Sequence, residues 1–212
     1  MTRRRIDLEE VAPWFAEAPP EGREAIGLVQ TLFPGHSGPI HLEFGCGYGL
    51  FLCELAARAP DDAFLGIEHD RGAALRTARK LMLAAADNAR VVMGDAFWVL
   101  HGLFQDGMVG DVYVNFPDPW PKRRHASRRY IRQPFVEELH RKMAPGHTVY
   151  LATDVLGYAE EMVVLFDSHP GFVSGVPDGG YTHSKPTPVY SKYEQEFLAQ
   201  GLPIYYLTYA AC

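Results

Sequence analysis

Ile40-His41-Leu42-Glu43-Phe44-Gly45-Cys46-Gly47-Tyr48-Gly49-Leu50 is the stretch on which the fold turns. A short β-rich run enters glycines at alternate positions, after which Leu50, Leu52, Leu55 and Ala56 open a helical pattern. Glycines there let the backbone turn sharply into a helix N-terminus and approach a ligand closely. The dinucleotide fingerprint G-x-G-x-x-G would require glycine at position 50, where this chain has Leu50. A glycine turn alone also serves as plain structure, so its meaning depends on what surrounds it.

Working outward, the same strand-then-helix unit repeats. Ala63–Glu68 reads as a strand, followed by a helix carrying Ala74, Ala78, Leu81 and Ala85. Arg90–Gly94 and Asp111–Asn115 are further β-rich runs, and Ile131, Phe135, Leu139 and Met143 mark one helical face. Thr148–Thr153 is a strand, with Leu156, Ala159, Met162, Val163 and Phe166 forming its helix. Such units predict an α/β fold with a doubly wound, mostly parallel sheet. Phe172-Val173 and Ile204–Tyr209 complete seven strands, with no convincing crossover helix between them and an antiparallel C-terminal strand expected. Residues 175–191, rich in Gly, Pro, Ser and Thr, read as an active-site loop. No repeat or linker breaks the chain, so residues 1–212 are expected to form a single domain with a helical or tail region at 1–35.

In an open parallel sheet, ligands bind beyond the carboxyl ends of the strands. Four polar signals fall at such ends: Glu43 with the glycines, Glu68, Asp95 and the turn Asn115-Phe116-Pro117-Asp118. Glu68 comes 19 residues after Gly49, near the spacing at which an acid reaches ribose hydroxyls. Asp95 is placed to accept from an adenine amine. Singly, each acid is more often a helix cap or a solvated strand end; three after successive strands, following a glycine turn, point to a nucleoside. In Phe116-Pro117-Asp118-Pro119-Trp120-Pro121-Lys122, alternating prolines stiffen the loop and hold Asp118 in place.

The composition is that of an ordinary globular chain, 47% hydrophobic and 22% charged, which excludes collagenous and disordered classes. Cys46, Cys53 and Cys212 form neither a disulfide framework nor a C-x-x-C pair, so a reducing compartment and no metal are expected. The formal charge is −6, yet residues 122–132 hold six of the 20 basic side chains and no acid, leaving −12 on the remainder. Cations so concentrated beside a candidate site suit phosphate contacts. Arg3, Arg4 and Arg5 are followed by Asp7, Glu9 and Glu10 rather than an apolar segment, and no apolar run is long enough to span a bilayer. A cytoplasmic protein without a membrane partner is expected.

Together these motifs resemble the bacterial tRNA (guanine-N7-)-methyltransferases. Leu42–Gly49 is similar to their donor-binding turn; Gly66-Ile67-Glu68, Asn88 with Asp95-Ala96, and Asp154 with Tyr158-Ala159 and Met162 resemble further blocks. Phe116–Lys122 with Arg124-His125 and Arg128-Arg129 is the most specific part, and Ser191-Lys192-Tyr193-Glu194 resembles a T-K-[FY]-E block. Ser127, Ser191 and Glu196-Phe197 depart from residues common in the family. The resemblance implies a class I, Rossmann-like methyltransferase using S-adenosylmethionine to methylate guanine N7 at position 46 of the tRNA variable loop, as a monomer or homodimer. It further implies donor contacts from Glu43, Gly45, Gly47, Gly49, Glu68, Asp95, Ala96 and Asp118, with Asp118 catalytic. Lys122, Arg124, Arg128, Arg129, Asp154, Ser191 and Glu194 would meet tRNA, Glu194 sharing the stabilisation of charge. The alternatives are a non-catalytic donor-binding subunit that interacts with RNA, or a methyltransferase acting on another base position or a small molecule.

Overall fold

The computed structural model describes residues 6–120 and 123–212, with 22, 24 and 26 excepted. Two units divide the chain, the first ending at Phe104 and the second starting at Gln105. In the first, α1 (Leu8–Val11), β1 (Phe15–Glu17) and α2 (Gly27–Leu32) precede β2 (Ile40–Phe44) and α3 (Leu50–Arg58). Then follow β3 (Ala63–Glu68), α4 (Arg71–Leu83), β4 (Ala89–Met93) and α5 (Ala96–Leu103). The strand order is β1-β4-β3-β2, parallel throughout. Every residue of β3 is buried, as expected of a parallel strand flanked by strands and covered on both faces. Asp70 caps α4 by accepting from the Ala73 amide at 2.7 Å. The helix then buries Ala74, Ala78 and Leu81 along one stripe.

The second unit contains β5 (Val109–Asn115), α6 (Gln133–Lys142), β6 (Thr148–Thr153) and α7 (Leu156–Asp167). After these come β7 (Phe172–Ser174), α8 (Lys192–Ala199) and β8 (Tyr205–Ala211). Its strand order is β5-β6-β8-β7: β5 and β6 are parallel, while β8 lies antiparallel to both of its neighbours. Helix α7 packs on this sheet through Tyr158, Ala159, Met162 and Phe166, the Phe166 ring stacking on Tyr209 at 4.8 Å.

The α/β character and the mixed pairing at the C-terminal strands match expectation. Two elements add to it. β1 pairs with β4 through three residues that carry no strand signal of their own, so only tertiary pairing reveals it. Helix α8 interrupts the stretch between β7 and β8 in which no helix was expected. Among the described residues, no helix is long and apolar enough to cross a membrane.

Candidate active site

In the first unit, β2 ends at Phe44 and the chain turns through Gly45, Gly47 and Gly49, all in the left-handed region with φ of 71°, 54° and 68°. At Gly49 a second restriction applies, because a Cβ there would lie 2.5 Å from the Thr77 methyl. Thr77, fully buried on α4, also donates to the Gly47 carbonyl at 2.8 Å, so the turn is braced from behind. Thr77 belongs to no motif; its one signal in the sequence is a hydroxyl in an otherwise apolar helical stripe.

Glu68, the last residue of β3, closes the turn from the other side. One carboxylate oxygen accepts from the Gly47 amide at 2.9 Å and the other from the Asp70 amide at 2.9 Å. Each oxygen keeps further acceptor capacity for a ligand hydroxyl. Glu43 is buried near the end of β2. Burial, and then the carboxylates of Glu43 and Glu68, push the Cys46 thiol well above its ordinary range. The turn is therefore an anionic environment. Asp95 is exposed and caps α5 through one oxygen, accepting from Phe97 and Trp98 amides at 2.9 and 3.2 Å, and Ala96 begins that helix.

In the second unit, β5 runs into the proline loop. Phe116 and Trp120 hold left-handed backbone, φ 53° and 39°, an uncommon state for residues with side chains. Between them Asp118 is exposed, with no hydrogen bond among the described residues. The Phe116 amide donates to Ala152 at 2.8 Å and its ring packs edge-on against Phe197 of α8. Arg128 is exposed, its guanidinium 4.8 Å from the Trp120 ring centre, and Arg124 is exposed on the short 3₁₀ helix Arg123–Arg128. Lys122 lies outside the described residues. Asp154 is exposed just beyond β6.

Three predicted substrate contacts are placed differently. Arg129 is turned into the fold: its Nε donates to the Pro119 carbonyl at 2.6 Å, Nη2 to Trp120 at 3.2 Å and Nη1 to Glu161. A guanidinium so engaged is a poor phosphate contact. Ser191 and Glu194 form a reciprocal capping box at the start of α8, with Ser191 buried and Glu194 fully so. Glu194 also accepts from the Lys185 ammonium at 2.5 Å and the Tyr206 hydroxyl at 2.6 Å. Its carboxylate thus fastens residues 175–191 to β8. Lys185 and Tyr206 were not anticipated, although the S-x-x-E spacing advertises the capping box.

Solved structures define the class to which this architecture belongs. The 16S rRNA methyltransferase KamB shares the fold with a TM-score of 0.61 at 12% identity, over 90% of this chain and 95% of that one. The aminoglycoside resistance methyltransferase NpmB1 does so with a TM-score of 0.58 at 15% identity, over 90% and 95%. The fold is thus the α/β, Rossmann-like fold of class I methyltransferases. Residues 37–207 match the family Methyltransf_4, described as "Putative methyltransferase". A tRNA (guanine-N(7)-)-methyltransferase of Syntrophotalea carbinolica is 32% identical over 98% of this chain and 87% of its own length. One of Magnetococcus marinus is 34% identical over 90% and 76%. The chain belongs to the tRNA (guanine-N(7)-)-methyltransferase family.

Proposed function

We propose that this protein transfers a methyl group from S-adenosylmethionine to N7 of guanine in tRNA, at position 46 of the variable loop. The observation that carries the reading is Asp118, held exposed between two backbone-constrained aromatics in a chain of this family. The first unit suits the donor: carboxylates at Glu43 and Glu68 around a left-handed glycine turn offer acceptors for a diol and a negative environment for a sulfonium cation. Gly45, Gly47, Gly49, Asp95 and Ala96 complete the proposed donor site. When bound, S-adenosylmethionine supplies an electrophilic methyl group.

Guanine N7 offers an in-plane lone pair and no proton, so transfer needs positioning rather than a strong base. The product base is cationic. Asp118 is assigned to stabilise that charge as it develops, and Asp154, exposed in the same unit, to contact the substrate. Arg124 and Arg128, with Lys122, are assigned to tRNA phosphates.

Incubating the protein with donor and unmodified tRNA, followed by cleavage at 7-methylguanosine, tests the whole reading. A signal confined to the variable loop supports it; donor binding without any methylated product indicates a non-catalytic subunit. Asp118→Asn is expected to lower kcat by about 10²-fold, and full turnover with unchanged donor binding would remove Asp118 from the mechanism. Neutralising Arg124 and Arg128 together should reduce the slope of log affinity against log salt by about two.

A further inference from the structure

We propose that Arg129 is a positioning residue for methyl transfer, a clasp that fixes the backbone on which Asp118 is carried, rather than one of the cations that grip RNA. The proposal rests on the methyl-transfer reading above. Its basis is the way one planar guanidinium is used. From a side chain only 11% exposed, Nε and Nη2 reach the carbonyls of two consecutive loop residues, Pro119 and Trp120, while Nη1 pairs with Glu161 on α7. The guanidinium carbon sits 4.8 Å from the centre of the Tyr158 ring, also on α7. That ring is 1% exposed, and its hydroxyl has no hydrogen-bond partner among the described residues, so the ring acts as a platform through its face. Burial raises the Tyr158 phenol above its ordinary value, which keeps the ring neutral beneath the cation.

What the clasp holds is an unfavourable conformation. Trp120 sits at φ 39° and Phe116 at φ 53°, and side-chain-bearing residues leave that region unless their surroundings hold them. The Arg129 donors meet the carbonyls at the far end of the loop, and α7 supplies both the ring below and the carboxylate beyond. Asp118 lies between the two constrained residues, so its direction depends on both ends staying put. Lysine could not substitute, since one ammonium lacks the flat fork that spans two carbonyls and a carboxylate together.

The test compares wild type, Arg129→Lys and Glu161→Gln in protein labelled with 5-fluorotryptophan, reading kcat, KM for tRNA, the salt slope of tRNA affinity and the ¹⁹F resonance of Trp120. Arg129→Lys, which keeps the charge, is expected to lower kcat by about 10²-fold. KM should stay within about twofold of wild type and the salt slope should not change, and the Trp120 resonance should shift or broaden. Glu161→Gln alters only an exposed partner and is expected to move kcat and the resonance in the same direction by less, which keeps the test available if the arginine variant fails to fold. An unmoved Trp120 resonance in a folded Arg129→Lys protein overturns the proposal. So does a salt slope reduced by about one in a further variant, Arg129→Gln, where the charge itself is removed and the fall marks a lost phosphate contact. If wild type yields no methylated tRNA, the methyl-transfer reading fails, while the resonance still reports whether the clasp sets the loop.

Discussion

Single residues show most sharply which features of the site depend on chemistry and which on space. Gly49 combines both restrictions, a left-handed φ of 68° and the Thr77 methyl 2.5 Å from any added Cβ. Gly49→Ala is therefore expected to lose about 1–3 kcal/mol of stability, measured as a fall in the denaturant midpoint, and to weaken donor binding. Its side chain cannot turn away, because the clash is with the Cβ itself. The cysteines divide in a similarly local way. Cys212 is exposed, whereas Cys46 is buried, and that burial, with a smaller contribution from the Glu43 and Glu68 carboxylates, raises its thiol. Iodoacetamide on the native protein should label Cys212 and leave Cys46 unmodified until unfolding. The glycine turn was legible because acids stand at the ends of the strands that follow it. Thr77 was not, because the contact that matters crosses from one element to another.

At the level of the element, α8 repays closest attention. At the departure Glu196-Phe197, Glu196 pairs on the exposed helix face with Lys192 at 3.4 Å, and Phe197 packs on Phe116. The helix thus supports the near end of the loop that Arg129 holds at the far end. It also carries the buried ion pair between Glu194 and Lys185, whose ammonium is held below its ordinary value by burial while Glu194 pulls it back up. Glu194→Gln would leave that ammonium without its counter-charge. The expected cost is about 3 kcal/mol, with faster amide exchange across residues 175–191. Replacing both partners, as in Lys185→Met with Glu194→Gln, should recover part of the loss. The long parallel strands were readable from apolar runs alone, with Ile40–Phe44, Ala63–Glu68 and Thr148–Thr153 matching the structure residue for residue. The capping box was written in Ser191-x-x-Glu194, but the same four residues also fitted a substrate-contact block, and only burial separates the two meanings.

Across the whole molecule, buried tyrosines set the alkaline limit. Tyr158, Tyr206 and Tyr209 are almost fully buried, and burial raises all three above their ordinary value of 10.0; a carboxylate accepting from the hydroxyl adds to this at Tyr206 and Tyr209. A raised acid binds its proton more tightly when folded, so its stabilisation is complete below that ordinary value and is lost as pH climbs through the folded pKa. Lys185, lowered on folding, works in the opposite direction. Stability should therefore fall as pH rises above about 10, with tyrosinate absorbance from these residues appearing together with unfolding rather than before it. The charge distribution also reads differently at this scale. Within the basic run, Arg129 turns into the fold while Arg128 stays outside on Trp120. Sequence density of cations could not separate the two arginines, because neighbouring side chains turn in different directions.

The placement of β8 between β6 and β7 bears on how the protein is made. A chain emerging from the ribosome presents β6 and β7 before the strand to which both must pair, with residues 175–204 still to be synthesised. Through that interval β6 lacks its partner on one side and β7 lacks its only one among the described residues, and bare strand edges are where nascent chains join the wrong neighbour. The second unit can close only when β8 arrives, so its assembly waits on translation, and a pause within residues 175–204 would lengthen the time during which those edges stay bare.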